Sequence, residues 1–182
     1  MQKKLLLSSQ QLDLTIQRLC HQLIENHQDF ENTVIIGLQP RGIYPANRIK
    51  ARLEQILKKE IPVGYLDITF YRDDFRRREK PAKANATNIP FIIEDKKVIL
   101  IDDVLFTGRS VRAALDAMTA FGRPELVELL VLVNRKYSRN LPIEPNYVGR
   151  NVNTILSQRV FVDWTETGAK NNSIWLGNKP NN

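Results

Sequence analysis

The sequence predicts a single α/β domain whose central sheet is mostly parallel and flanked by helices on both faces. Three observations predict it. Strand-like and helix-like segments alternate through the middle of the chain. The strand-like segments are apolar on both faces, as strands held between two helical layers are. A length of 182 residues fits one domain at roughly 150 residues per domain. A chain this size buries roughly 70% of its unfolded surface without crosslinks.

The elements follow in order. Ser8 with Gln11 reads as a capping box, and Leu7 with Leu12 as a hydrophobic staple, so a helix starts near Ser8. Leu12, Ile16, Leu19, Cys20, Leu23 and Ile24 give it a 3.6-residue stripe, which makes Cys20 a core thiol; His21 and His27 are expected on its surface. Thr33–Gly37 reads as a buried strand. A turn with Pro40, Arg41 and Gly42 leads to a helix carrying Ala46, Ile49, Leu53, Ile56 and Leu57. Val63–Tyr71 is β-rich. Arg72–Pro90 is charged and aperiodic, and a loop this long in a compact domain is functional or disordered. Val98–Ile101 is a second buried strand, followed by Asp102, Asp103, a short loop and a helix with Val111, Ala114, Leu115 and Met118. Gly122 and Pro124 end that helix. Leu126–Val133 is a third buried strand; Val160–Trp164 and Ser173–Leu176 remain as candidates for a paired appendage, and Asn178–Asn182 as a frayed tail.

Composition narrows the function classes. With 42% hydrophobic and 26% charged residues, the chain is no disordered polymer, collagen or disulfide scaffold. No apolar run approaches the roughly 20 residues that cross a bilayer, and Met1–Leu7 is too short for the apolar core of a signal peptide. A lone cysteine fits a reducing cytoplasm. A net charge of +7 favours nucleic acid or phosphorylated metabolites, or only a soluble basic protein. Histidine, cysteine and aspartate show no metal-ligand spacing.

Ligands of open α/β sheets sit outside the carboxyl ends of the strands. That directs attention to Val98-Ile-Leu-Ile-Asp102-Asp103-Val-Leu-Phe106-Thr107-Gly108-Arg109-Ser110. A hydrophobic strand ends in two acids, and a hydroxyl-rich turn opens a helix. Unpaired N–H groups at a helix start favour an anion, and Gly108 lets the backbone approach it. The acids suit sugar hydroxyls or magnesium. The bland alternative is a strand end and an ordinary helix cap. The patterns GxxxxGK[ST] and GxGxxG are absent.

Ile99–Ser110 resembles the phosphoribosyl-pyrophosphate (PRPP) signature of type I phosphoribosyltransferases. Gly37–Tyr44, Asp67–Asp74, Phe121–Pro124 and Leu141–Gly149 resemble the pyrimidine operon regulators of the PyrR family, and the likeness covers about residues 5–166. The resemblance implies the type I phosphoribosyltransferase fold over residues 1–182, with a flap at about 71–90 and a small C-terminal hood at about 140–182. It implies uracil phosphoribosyltransferase activity, in which uracil and PRPP give UMP and diphosphate. It also implies an RNA-binding regulator acting on pyrimidine-operon mRNA, magnesium as cofactor, a cytoplasmic location and a homo-oligomer. Two alternatives stay open: a catalytically weak, nucleotide-sensing RNA-binding regulator, or a phosphoribosyltransferase for another base.

The residue roles come from the same resemblance. Asp102, Asp103 and Arg72 are the expected catalytic groups. Arg41, Gly42, Asp73 and Asp74 bind PRPP together with Asp102 and Asp103, while Thr107, Gly108, Arg109 and Ser110 cradle its 5′-phosphate. Asp102, Asp103 and Glu166 are the expected magnesium ligands. Phe106, Asn134, Val160 and Phe161 are expected at the base. Phe106 stands where purine-salvage relatives carry aspartate, which argues against purines. Asn134 departs from the Val-Asp-Arg usual in the family, which removes a charge and adds donors. Arg76, Arg77, Arg78, Lys80 and Lys83 in the long loop, and Arg48, Lys50, Arg52, Lys58 and Lys59 on the second helix, are candidate phosphate contacts for RNA or simply solvated faces.

Overall fold

The computed structural model describes residues 3–73 and 85–178. Asp74 and the loop cluster from Arg76 to Lys83 lie outside the described residues. Among the described residues eleven strands and α-helices follow in order: β1 (Lys4–Leu7), α1 (Ser9–His27), β2 (Thr33–Leu38), α2 (Ile43–Leu57), β3 (Val63–Leu66), β4 (Lys97–Leu105), α3 (Arg109–Met118), β5 (Leu126–Lys136), β6 (Tyr147–Asn153), β7 (Gln158–Asp163) and β8 (Ser173–Asn178).

The main sheet has five strands in the order β3-β2-β4-β5-β6, and every pairing is parallel. The chain moves outward one way through α2 to β3 and the other way through α3 to β5. The order therefore reverses between β2 and β4, whose carboxyl ends make the crevice where such sheets bind ligands. One apolar cluster joins α1, α2 and the sheet to the three-stranded antiparallel sheet β1-β8-β7. A second packs Val111, Ala114 and Met118 of α3 on the other face. Ser8 caps α1 through the reciprocal bonds expected of Ser8 and Gln11. Buried Cys20 sits on the apolar stripe, and burial pushes its thiol up to about 12.

Several expectations are corrected. His27 is buried, one turn beyond Leu23 on the same stripe. Its Nε2 lies 2.6 Å from Glu128 Oε2 and 3.2 Å from Tyr147 Oη, and its Nδ1 is 3.2 Å from Thr33 Oγ1. Ile56 and Leu115 are exposed. The β-rich run stops at Leu66 and turns into a short 3₁₀ segment, Thr69–Tyr71. Gly122 closes the 3₁₀ extension Thr119–Phe121 rather than α3 itself. The strand before the acid pair continues through it to Leu105. Two edge strands lacked a readable pattern. β1 is only four residues long, and β6 buries only Tyr147 and Val152, without alternation. β6 completes the parallel sheet, while the N-terminal β1 completes the smaller sheet with β8 and β7.

Candidate active site

β2 ends at Leu38, and the chain turns through a cis Gln39–Pro40 bond into Arg41 and Gly42. The Gly42 N–H donates to the Leu38 carbonyl at 2.6 Å. A Cβ on Gly42 would meet the Ile101 carbonyl oxygen at 2.3 Å and the Leu38 carbonyl oxygen at 2.6 Å. Only glycine lets this turn press onto β4 one residue before the acid pair. Arg41 is thereby set against Asp103, with Nε 2.7 Å from Oδ2. Its other end donates to the Val162 carbonyl of β7. Arg41 thus bridges the sheet edge and the smaller sheet.

Asp102 and Asp103 alternate at the end of β4. The Asp103 N–H donates to Asp102 Oδ1 at 2.9 Å. Burial, and next the charge of Asp103, push the Asp102 carboxyl well above the usual carboxylate range; Arg41 and Arg72 pull the other way. β4 then turns through Phe106 and Thr107 to Gly108, whose positive φ sets the start of α3. Arg72 donates to Ser110 Oγ at 2.6 Å, and Asp73 pairs with Arg109. The described end of the expected flap therefore lies on the expected phosphate cradle.

Two adjoining cavities share Arg41, Asp103 and Val104. One is lined by Pro40, Arg72, Asp102 and Ser110, and the other by Phe106, Val160, Phe161 and Val162. Four of the expected PRPP residues (Arg41, Asp102, Asp103 and Ser110), the expected catalytic Arg72 and three of the expected base residues (Phe106, Val160 and Phe161) thus line one two-chambered cleft, whereas Gly42, Asp73, Thr107, Gly108 and Arg109 line neither cavity.

Asn134 and Glu166 are held by other side chains. Asn134 is buried and lines neither cavity. Its Nδ2 donates to Asn151 Oδ1 at 2.9 Å, and its Oδ1 accepts from Arg139. Strand alternation turns the neighbouring Arg135 into the cavity lined by Phe106 instead. Glu166 is held by Arg48 through two bonds of 2.8 and 2.9 Å, which lower its pKa to about 2. Asp103 and Asp163, not Glu166, are the acids that line the cavity holding Phe106. Sequence reasoning also missed Arg159, Val162 and Thr167 of the lining. Their signal was weak: Arg159 stands just before, Val162 within and Thr167 just after the strand candidate Val160–Trp164, which pairs with β8.

The basic face of α2 is largely compensated. Arg48 pairs with Glu166, Arg52 with Asp13 and Lys50 with Glu54. Among the described residues no group of three His, Cys, Asp or Glu side chains could hold a metal alone. Asp102 and Asp103 nonetheless fit magnesium, which takes one or two carboxylates and completes its shell with water and substrate phosphates.

An acid pair, an arginine turn and a hydroxyl cradle at the switch point of a parallel sheet define a phosphoribosyl-transferring cleft. The phosphoribosyl transferase domain matches residues 4–165, and the chain belongs to that family. Within it the chain is of the PyrR type. It is 44% identical over 168 residues to the Bifunctional protein PyrR of Bacillus cereus (strain AH820) and to that of Bacillus thuringiensis subsp. konkukian (strain 97-27). Each match covers 91% of this chain and 93% of the relative. Solved structures confirm the fold. A hypoxanthine phosphoribosyltransferase from Staphylococcus aureus superposes with a TM-score of 0.71 at 19% identity, covering 97% of this chain and 93% of its own. A hypoxanthine-guanine phosphoribosyltransferase from Bacillus anthracis gives 0.73 at 18% identity, covering 94% and 96%. No helix among the described residues is long and apolar enough to cross a membrane.

Proposed function

We propose that the protein is a uracil phosphoribosyltransferase that forms UMP and diphosphate from uracil and PRPP, and that it carries the second, RNA-binding role of a bifunctional pyrimidine regulator. The observation that carries the transferase reading is the two-chambered cleft, with Arg72, Asp102 and Ser110 on one side of Arg41 and Asp103 and the aromatic Phe106 and Phe161 on the other.

Asp102 and Asp103 would hold the ribose hydroxyls and magnesium, and the metal supplies charge neutralisation for the departing diphosphate. Arg41 and Arg72 add fixed positive charge at the same place. Thr107, Gly108, Arg109 and Ser110 take the 5′-phosphate, where N–H groups at the α3 start favour an anion. Asp73 pairs with Arg109 of the cradle, a contact that an incoming 5′-phosphate would replace. Phe106, Val160 and Phe161 face the base; Phe106 offers ring contact and no proton acceptor. This favours a pyrimidine entering through its own N1.

The test is UMP formation from uracil, PRPP and magnesium, against blanks lacking each component and against hypoxanthine and guanine. Turnover of uracil alone is expected; turnover of a purine, or of neither, overturns the base assignment. For RNA the expectation is binding to a pyrimidine-operon leader that weakens steeply between 50 and 200 mM salt, by about tenfold or more; a flat response removes that role. The same reading places the protein in the cytoplasm as a homo-oligomer, checked by fractionation and sedimentation.

A further inference from the structure

The charge around Phe106 is unbalanced. Arg135 is 3% exposed, and its guanidinium lies 3.9 Å from the centre of the Phe106 ring. Its Nε donates to Thr154 Oγ1 at 2.9 Å, and a terminal nitrogen donates to the carbonyls of Gln158 at 3.1 Å and Ile155 at 3.3 Å. Behind it, Arg139 donates to the carbonyls of Ile143, Arg135 and Phe106 and to the amide oxygen of Asn134. Every one of these acceptors is neutral. Among the described residues neither arginine is in an ion pair. Burial lowers the proton affinity of both, yet a guanidinium stays charged.

The other elements do not cancel this charge. From the turn before α2, Arg41 is matched by Asp103 of β4. Asp102 lines the adjoining cavity, not this one. From β7, Arg159 adds a cation at the exposed rim against the ring of Phe161, and Asp163 is the opposing acid. Glu144 acts on Arg139 through space. A buried cation without a counter-ion is costly, and an anionic ligand in the chamber relieves it.

We propose that this chamber selects the pyrimidine as its N1 anion, and that the Asn134–Arg139–Arg135 cluster, with Arg159 at the rim, is the specificity determinant. The inference rests on the transferase reading above. The N1 proton is lost to water before the base seats. The N1 electron pair then forms the N1–C1 bond, while the electrons of the C1–O bond leave with diphosphate. No protein base is needed. Residue 134 is central because its amide oxygen satisfies Arg139 without neutralising it; a carboxylate there would cancel the charge.

The test is Asn134→Asp. At pH 7 the KM for uracil is expected to rise about tenfold, while kcat/KM in the parent and the variant alike climbs with pH to a midpoint at uracil's own N1 ionisation. The KM for PRPP stays unchanged. 5-Fluorouracil, whose N1–H is more acidic, loses the same factor and reaches its kcat/KM midpoint at a lower pH in both proteins. Arg159→Gln, an exposed position that leaves the core untouched, shifts uracil the same way by about threefold. An unchanged uracil KM, a kcat/KM that does not rise with pH, or the same pH midpoint for both bases overturns the proposal. A second readout needs no turnover. With magnesium and an unreactive PRPP analogue, bound 5-fluorouracil is expected to show the ultraviolet spectrum of its anion at pH 7; a neutral spectrum overturns the proposal. An anionic bound base without uracil turnover sinks the transferase reading alone, and no bound base sinks both.

Discussion

Gly42→Ala is the sharpest test of how the site is assembled. The backbone of Gly42 is ordinary right-handed helix, with φ of −66°, so alanine carries no torsional cost there. The cost is steric. The new methyl would stand 2.3 Å from the Ile101 carbonyl oxygen, 2.6 Å from that of Leu38 and 2.7 Å from the Leu38 nitrogen. All three are backbone atoms of paired strands, so the turn itself must retreat by about 0.7 Å to reach even 3.0 Å. Overpacking costs about 1–3 kcal/mol, and rigid neighbours place this case near 3. At roughly 2–4 °C per kcal/mol for a chain of this size, the melting temperature falls by about 6–12 °C. The turn also carries Arg41 against Asp103, and an error approaching 1 Å in a positioning group lowers rate about a hundredfold. Gly168→Ala is the control: nothing lies within 4 Å of its added methyl, and its φ of +89° sets a left-handed cost of about 1–2 kcal/mol. Calorimetry with kcat/KM for PRPP decides. A Gly42→Ala protein that melts within about 2 °C of the parent with unchanged kcat/KM would refute the close approach.

Asp103→Asn removes the carboxylate that Arg41 contacts at 2.7 Å; kcat/KM for PRPP should fall more than about a hundredfold with the circular-dichroism spectrum intact, and an unchanged rate would remove the acid pair from the site. Glu166, held at about 2 by Arg48, has a folded pKa below its unfolded value. Its contribution is therefore full above the ordinary 4.5 and lost as pH falls toward about 2. Because the side chain is 47% exposed, that contribution stays below about 1 kcal/mol. Melting of Glu166→Gln against the parent should accordingly differ at pH 6 and converge on acidification; a difference that grows toward low pH contradicts the pairing. Cys20, buried with its thiol near 12, should resist thiol reagents at pH 8 until denaturant is added, and rapid labelling of the native protein would contradict its place in the core.

Local chemistry determined much of this protein from the sequence alone. The Ser8–Gln11 cap, the α1 stripe, the three doubly buried strands and the acid pair before the Thr-Gly-Arg-Ser turn are written in neighbouring residues, because capping, helical periodicity and strand burial act over a few positions. Tertiary structure decided what depends on distant partners. β1 and β6 are edge strands whose pairing comes from Ile174–Leu176 and from β5, so their own residues show no pattern. His27 lies on an apolar stripe because Glu128, Thr33 and Tyr147 satisfy it from three other segments. The same holds at the site. Arg41 is recognisable from its turn, but its bond to the Val162 carbonyl needs a strand far along the chain. Asn134 and Arg135 are neighbours on a strand without readable alternation. Which of them faces the base chamber was settled only when β6 took Asn134 at Asn151, leaving Arg135 over the Phe106 ring.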